Sequence, residues 1–121
     1  ELYLCSDPDE RVFFQGRWYE GLLPQSGIQE EEKKQYEAFF SFVKTQSTRK
    51  GSDGKVAFAI PLDMSSRDPD ILQLDKKTMA DLLSENGWTS PTLRWYVDYC
   101  MQDDYGLRAD KVSAWAGIHY F

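Results

Sequence analysis

The residues best suited to chemistry are concentrated between Ser90 and Gly106, in the stretch SPTLRWYVDYCMQDDYG. Its two adjacent carboxylates, Asp103 and Asp104, could in principle act as an acid/base pair or bind a metal ion. Neighbouring residues point in different directions, however, and no third metal ligand is near in sequence. We therefore expect these aspartates to accept backbone N–H bonds in a turn, where Gly106 can adopt a positive φ.

The aromatic residues of this stretch lie on a predicted helix that has Ser90 as its N-cap and Pro91 at its first helical position. At helical spacing, an apolar stripe predicts the core-facing side, and it consists of Leu93, Val97, Cys100 and Met101. Arg94 and Asp98 are four residues apart and would form a surface ion pair.

Trp95 and Tyr99 fall outside that stripe, and two interpretations remain open for them. They could pack at the edge of the core with the Tyr hydroxyl in water. They could instead form a wall of a ligand cavity, since aromatic side chains commonly line such sites.

Several catalytic motifs are absent from the sequence. It has no glycine-rich phosphate loop, no His-Glu-x-x-His, no Gly-x-Ser-x-Gly and no cluster of Cys and His. We therefore assign no catalytic, cofactor-binding or metal-binding residue. The single histidine, His119, lies in an apolar C-terminal segment, and we expect its imidazole to be buried and hydrogen-bonded.

Composition limits the possible partners. The 121 residues, 41% apolar and 15% aromatic, are enough for a single domain over 1–121 with a packed core. The net charge of −6 argues against a nucleic-acid or anionic-membrane surface, and no apolar run approaches the ~20 residues of a membrane span. Small-molecule or protein partners remain. Cys5 and Cys100 are interpreted as buried thiols.

The pattern along the chain predicts an α+β fold, in which a small antiparallel β-meander is followed by about four helices. Residues 1–24 read as the meander, with strands at LYLC, RVFF and RWYE. Residues 26–61 read as a helix followed by the short strand VAFAI, and the stretch PLDMSSRDPD, 61–70, reads as an exposed crossing segment. Residues 74–121 read as the helical part.

Local signals predict where the other helices begin. Ser26 and Gln29 have capping-box spacing, ahead of an apolar face made of Tyr36, Phe39, Phe40 and Val43. Asp75 is the expected N-cap of the next helix, whose buried face would hold Met79, Leu82 and Leu83 and which would end at Asn86-Gly87. The last helix is expected to start behind Asp110. The chain begins in a strand-like ELYLC and ends in an apolar WAGIHYF, so we expect it to be an excised piece of a longer protein.

Three segments together resemble the middle of bacterial FAD-dependent oxidoreductases of the flavin-containing amine oxidase superfamily. They are LYLCSDPDERVFFQGRWYEGLLP, MADLLSENGWTSPTLRWYVDYCMQDDYG and DKVSAWAGIHYF. The resemblance covers most of the chain and is strongest over 74–121. It implies a substrate-binding, or cap, domain that is not catalytic in isolation and that works with the FAD-binding part of the same chain.

The same resemblance implies that FAD is bound outside these residues and that the intact enzyme oxidises a C–N or similar bond by hydride transfer to the flavin. Within 1–121 it implies only walls of a substrate cavity, and the candidates are Trp95, Tyr99, Tyr105, Trp115 and His119. Their role would be shape and apolar contact.

An alternative function is an independent binding module. In that case the aromatic residues of GRWYEG and RWYVDY would form a platform for a small ligand, a sugar or a peptide. Exposed tryptophans distinguish this hypothesis, because burial of Trp18, Trp95 and Trp115 against one another would remove its basis.

Overall fold

The computed structural model of the chain describes residues 9–121. These residues form a β-hairpin followed by five α-helices, so the predicted α+β class is confirmed. The predicted strand LYLC and the thiol of Cys5 lie outside the described residues. Of the predicted meander, the described residues therefore contain only the hairpin formed by its second and third strands.

The hairpin joins β1 (Arg11–Phe14) to β2 (Arg17–Glu20) in antiparallel register. Gln15 and Gly16 form the two-residue connection, with φ angles of 47° and 79°. Positive φ at both positions suits a tight hairpin turn, because it matches the right-handed twist of the strands. The predicted connection is confirmed.

The two faces of the hairpin differ in exposure, as the alternation predicts. Phe13 pairs with Trp18 across the strands, and both are well exposed. Val12, Phe14 and Tyr19 lie on the other face and are half-buried. The hairpin therefore covers apolar side chains on one side and presents two large aromatic rings on the other.

Helix α1 (Glu30–Ser47) starts later than the capping-box spacing predicts. Its N-cap is Gln29, whose side chain makes no capping hydrogen bond. The hydroxyl of Ser26 lies 3.0 Å from the hydroxyl of Tyr19, to which it is hydrogen-bonded. The predicted cap is wrong because a contact with β2 engages the serine before the helix begins.

The predicted apolar face of α1 is only partly buried. Phe39 is fully buried, whereas Tyr36 and Val43 are half-buried. Phe40, predicted on the apolar face, is 41% exposed. Its ring packs edge-on against Phe39 at the rim of the core, with ring centroids 5.4 Å apart.

The segment VAFAI does not form a strand, because its strand-like pairing is limited to an isolated bridge between Lys50 and Val56, and the Val56 carbonyl accepts instead from the backbone N–H of Ser66. Its apolar residues are unequally buried, since Ala57 is fully buried whereas Ile60 is 88% exposed. The crossing segment after it contains a 3₁₀ turn over Leu62–Met64 and the short helix α2 (Pro69–Leu72).

Helix α3 (Met79–Glu85) is capped by Thr78 and not by Asp75. The Thr78 hydroxyl accepts from the backbone N–H of Asp81, and the Asp81 carboxylate accepts from that of Thr78, both at 3.0 Å. Asp75 lies in the preceding 3₁₀ turn, Gln73–Lys76. The reciprocal capping box satisfies two N–H groups, which a lone Asp cap could not do.

Helices α4 (Pro91–Tyr105) and α5 (Ala114–Tyr120) complete the fold. Gly106 ends α4 with φ 67°, as predicted. The N-cap of α5 is Ser113, whose hydroxyl accepts from the backbone N–H of Ala116, so the predicted start behind Asp110 is wrong.

One continuous core joins these helices. The predicted buried faces of α3 and α4 are both confirmed, and they pack with Phe39, Trp88 and Ile118. Helix α5 approaches α3 closely at Gly117, where a Cβ atom would lie 2.6 Å from the sulfur of Met79. The packing of α5 on α3 therefore requires glycine at this position.

Candidate functional site

The stacked rings of Trp95 and Tyr99 form the most exposed part of the predicted site. Their centroids are 5.6 Å apart and their planes are inclined by 26°. Trp95 is 47% exposed and Tyr99 is 38% exposed. At 100° per residue, both project from the side of α4 opposite its buried stripe. They are therefore available for contact with a ligand or another part of a protein.

The start of α4 is fixed by hydrogen bonds that hold this pair in place. The Ser90 hydroxyl caps the helix by accepting from the backbone N–H of Leu93 at 3.3 Å, and Pro91 occupies the first helical position, as predicted. The carboxylate of Glu32 on α1 accepts from the hydroxyls of Ser90 and Thr92, at 2.7 and 3.0 Å. These bonds lower the pKa of Glu32, the Ser90 hydroxyl having the largest effect.

Trp95 also lines a cleft of about 340 Å³ between the hairpin and the start of α4. The other lining residues are Val12, Phe13, Phe14, Leu22, Pro24, Pro91 and Thr92. Apart from the Trp95 indole N–H, Thr92 supplies the one polar side-chain group of this lining, and its hydroxyl is already engaged by Glu32. The cleft therefore suits an apolar group.

Trp115 and His119 form a second pair, on α5. Their rings are stacked, with centroids 5.1 Å apart and planes inclined by 18°, and Phe58 lies 5.4 Å from Trp115. Nε2 of His119 lies 2.8 Å from the carbonyl oxygen of Ala59. Because a carbonyl only accepts, this nitrogen donates, which gives the imidazole a structural hydrogen bond. Both side chains are half-buried.

The indole N–H of Trp115 has no such partner. Among residues 9–121 it is the one buried side-chain nitrogen or oxygen without a hydrogen bond. Leaving a buried donor unpaired costs about 1–3 kcal/mol. An acceptor supplied from outside the described residues would recover that free energy.

Tyr105 is associated with α5 and not with Trp95. Its hydroxyl donates a 2.8 Å hydrogen bond to the carbonyl oxygen of Ala116. Burial raises the pKa of this phenol. The five predicted wall residues thus separate into the pair on α4 and a group on or against α5, and the cleft that Trp95 lines contains none of the other four.

The predicted roles of the aspartates near α4 are wrong. Asp103 and Asp104 lie in the last turn of the helix and not in the turn that follows it. Asp98 is the residue that binds the turn, since its carboxylate accepts a 2.8 Å hydrogen bond from the backbone N–H of Ala109.

The predicted ion pair between Arg94 and Asp98 is also wrong. Asp98 pairs with Arg108 at 3.5 Å. The guanidinium of Arg94 donates instead to the carbonyl of Trp88 and the hydroxyl of Ser84, at 3.0 and 2.9 Å. Each of the two side chains thus binds partners outside α4 instead of the other.

Sequence reasoning missed the hairpin's contribution to the cleft. The sequence pattern places Phe13 only within a predicted strand, and Leu22 and Pro24 only at the end of the predicted meander. The alternation of β1 was the available signal, because it shows that apolar side chains project from both of its faces.

The described residues contain no group of three or more His, Cys, Asp or Glu side chains that could hold a metal ion. No helix within 9–121 combines the length and apolar character needed to cross a membrane. Comparison with protein-family models, with curated proteins and with solved structures gives no match for this chain.

Proposed function

We propose that this chain is the substrate-binding domain of an FAD-dependent oxidoreductase of the amine-oxidase type and that it is not catalytic by itself. The observation that carries the proposal is the exposed, stacked Trp95–Tyr99 pair beside an apolar cleft of about 340 Å³. Large rings held on the outer face of a well-anchored helix suit one wall of a substrate cavity. The resemblance of the sequence to flavin-containing amine oxidases gives the reaction class.

The chain's own residues would bind and orient the substrate. Trp95 would supply a flat apolar surface, and the Tyr99 hydroxyl could hydrogen-bond a polar group at the rim. Glu32 and Ser90 would act indirectly, by fixing the first turn of α4 and so the direction of Trp95. No proton transfer is assigned to any of these side chains.

The FAD would be held by another part of the same protein. The sequence has no glycine-rich loop that could receive a pyrophosphate. The flavin would supply the acceptor for the hydride that the substrate loses. The cavity would then be closed on one side by Trp95 and Tyr99 and on the other by the flavin-binding part.

The experiment is to express the complete gene product and, separately, the chain of residues 1–121. We expect the complete protein to be yellow, to release FAD on denaturation and to contain a Gly-x-Gly-x-x-Gly segment, whereas the isolated chain is colourless and binds no added FAD. A complete protein without flavin and without such a segment would overturn the proposal.

A second candidate function is an independent binding module, which the exposed hairpin face favours. The rings of Phe13 and Trp18 lie 5.3 Å apart, and Trp18 is 69% exposed. Such a pair could stack against a sugar or a peptide ring. Under this hypothesis Trp18→Ala abolishes ligand binding by the isolated chain, whereas under the leading proposal it leaves substrate binding by the complete protein unchanged.

A further inference from the structure

The outer face of the hairpin presents two adjacent aromatic rings to solvent. Phe13 and Trp18 face each other across β1 and β2, with ring centroids 5.3 Å apart. Phe13 is 58% exposed and Trp18 is 69% exposed, whereas Val12 and Tyr19 on the inner face are half-buried. Single exposed apolar residues are ordinary, but adjacent ones that form a patch mark interaction sites.

One charge of each sign continues this face towards the open end of the hairpin. The register places Arg11 directly opposite Glu20, two residues from the Phe13–Trp18 pair and on the same face. Both side chains are exposed. Arg11 forms a 3.5 Å ion pair with Asp9, and such contacts between exposed groups contribute little. Within residues 9–121, Glu20 forms no ion pair. Both charges are therefore available to a partner.

The register of these four residues makes the face complementary to itself. A two-fold axis that runs parallel to the strands and midway between them places β1 of a second copy over β2 of the first. Arg11 of each copy then lies over Glu20 of the other, and Phe13 of each lies over Trp18 of the other. The two copies thus form two ion pairs and two aromatic contacts. An end-for-end arrangement would instead place the charged residues over the hairpin turns.

We propose that this chain associates with a second copy of itself through the outer face of the hairpin, in that two-fold arrangement. The self-complementary charges identify the occupant of the face. An aromatic side chain buries about 150–250 Å², so the two copies bury roughly 1,000 Å² in total, which is small for a specific interface. The dimer is therefore weak and forms at high protein concentration. This proposal goes beyond both candidate functions, because it requires no flavin and assigns the rings to a second copy and not to a sugar or a peptide.

Sedimentation of the chain of residues 1–121 over a range of concentrations tests the proposal, since the described residues pack around one continuous core. Because interfaces of this size are weak, we expect a dissociation constant on the order of 0.1 mM. Trp18→Ala should raise this constant about tenfold or more, because it removes one ring from both aromatic contacts. The control is Ile60→Ala, an 88% exposed apolar residue outside the hairpin, which should leave the constant unchanged.

Charge reversals test the two-fold arrangement itself. Arg11→Glu gives a face with two acidic residues and Glu20→Arg gives a face with two basic residues, so each variant alone should dimerise about tenfold more weakly than wild type. An equimolar mixture of the two variants should form a heterodimer with about the wild-type affinity, because each Glu then lies over an Arg of the other copy. Unchanged dispersion of the amide NMR signals shows that each variant is folded.

Three results would overturn the proposal. The first is a chain that stays monomeric up to about 1 mM, which would leave the rings to a ligand or to another part of a longer protein. The second is equal dissociation constants for Trp18→Ala and Ile60→Ala. The third is a mixture of Arg11→Glu and Glu20→Arg that associates no more tightly than either variant alone. None of these results changes whether the complete protein contains flavin, so failure of this proposal is distinguishable from failure of the proposed function.

Discussion

The carboxylate of Glu32, in the first turn of α1, accepts a 2.7 Å hydrogen bond from the hydroxyl of Ser90, the N-cap of α4. One side chain thereby joins the starts of the two longest helices. A carboxylate at a helix N-terminus is also favoured by the partial positive charge of that end. Together with the bond from the Ser90 backbone N–H to the Gln35 side chain, this contact helps to place α4, and with it Trp95, relative to α1.

Glu32→Gln should therefore lower the free energy of unfolding by about 1–2 kcal/mol near neutral pH, because hydrogen bonds to a charged acceptor are lost. The hydrogen bonds lower the pKa of Glu32 from its ordinary value of 4.5, so this stabilisation is fully present above that pH and is lost as the pH falls through the folded-state pKa. Urea unfolding of both proteins across this range measures the difference.

Glu31→Gln is the matched control, because Glu31 is exposed and its one ion pair, with Lys34, is 3.9 Å long. We expect it to change stability by less than about 0.5 kcal/mol. Two results would contradict the role given to Glu32. One is a Glu32→Gln variant as stable as the Glu31→Gln variant, and the other is a difference in unfolding free energy between wild type and Glu32→Gln that grows on acidification.

A second prediction concerns which aspartate builds the connection between α4 and α5. Asp98→Ala removes the acceptor for the Ala109 N–H and the partner of Arg108, and should cost about 1–2 kcal/mol. Asp103→Ala and Asp104→Ala should each change stability by about 0.5 kcal/mol or less. Equal losses of unfolding free energy in all three variants, measured by thermal or urea unfolding, would instead support the prediction that Asp103 and Asp104 form the turn.

A third prediction concerns the thiol of Cys100, which is 2% exposed. Burial raises its pKa above the ordinary value of 9.0, so the reactive thiolate is scarce in the native protein. In a Cys5→Ser background, a thiol reagent should modify the native chain roughly a thousandfold or more slowly than the urea-unfolded chain, since reaction requires unfolding. Rapid modification without denaturant would show that the thiol is accessible.

The sequence predicted those elements whose signals are local. Ser90 followed by Pro91 specifies a helix start by itself, and the left-handed Gly106 specifies its end. The faces of β1 follow from strict alternation, and the apolar stripe of α4 follows from helical spacing. Each of these depends on residues within one or two turns of chain.

The predicted helix starts and the predicted strand VAFAI were wrong where a residue distant in sequence, or a competing cap, forms the hydrogen bonds. Ser26 could cap α1, but its hydroxyl bonds Tyr19. Asp75 and Thr78 are both good N-caps, and the reciprocal bond with Asp81 favours Thr78. The apolar VAFAI has strand-like composition, yet a strand needs a neighbouring strand, and Val56 finds only a single bridge.

Helical spacing predicts which face of α4 carries Trp95, but it does not predict which distant residues lie beside it. Helical spacing correctly placed Trp95 outside the buried stripe of α4. Nothing in the spacing shows that Trp115 lies against Phe58, or that Phe13 lines the cleft with Trp95. Those contacts bring together residues far apart in sequence, which a periodic pattern does not encode.

The central claim, that Trp95 forms a wall of the substrate cavity of a flavoprotein, is tested most directly by anaerobic reduction of the flavin in the complete protein. A panel of amines is screened for bleaching of the wild-type flavin, and the substrate found is then titrated against Trp95→Ala and the control Trp18→Ala. We predict that Trp95→Ala raises the concentration for half-maximal reduction about tenfold with unchanged flavin content, because it removes a large apolar contact surface, while Trp18→Ala matches wild type. A protein that purifies without flavin, or equal titrations for the two variants, would contradict the claim.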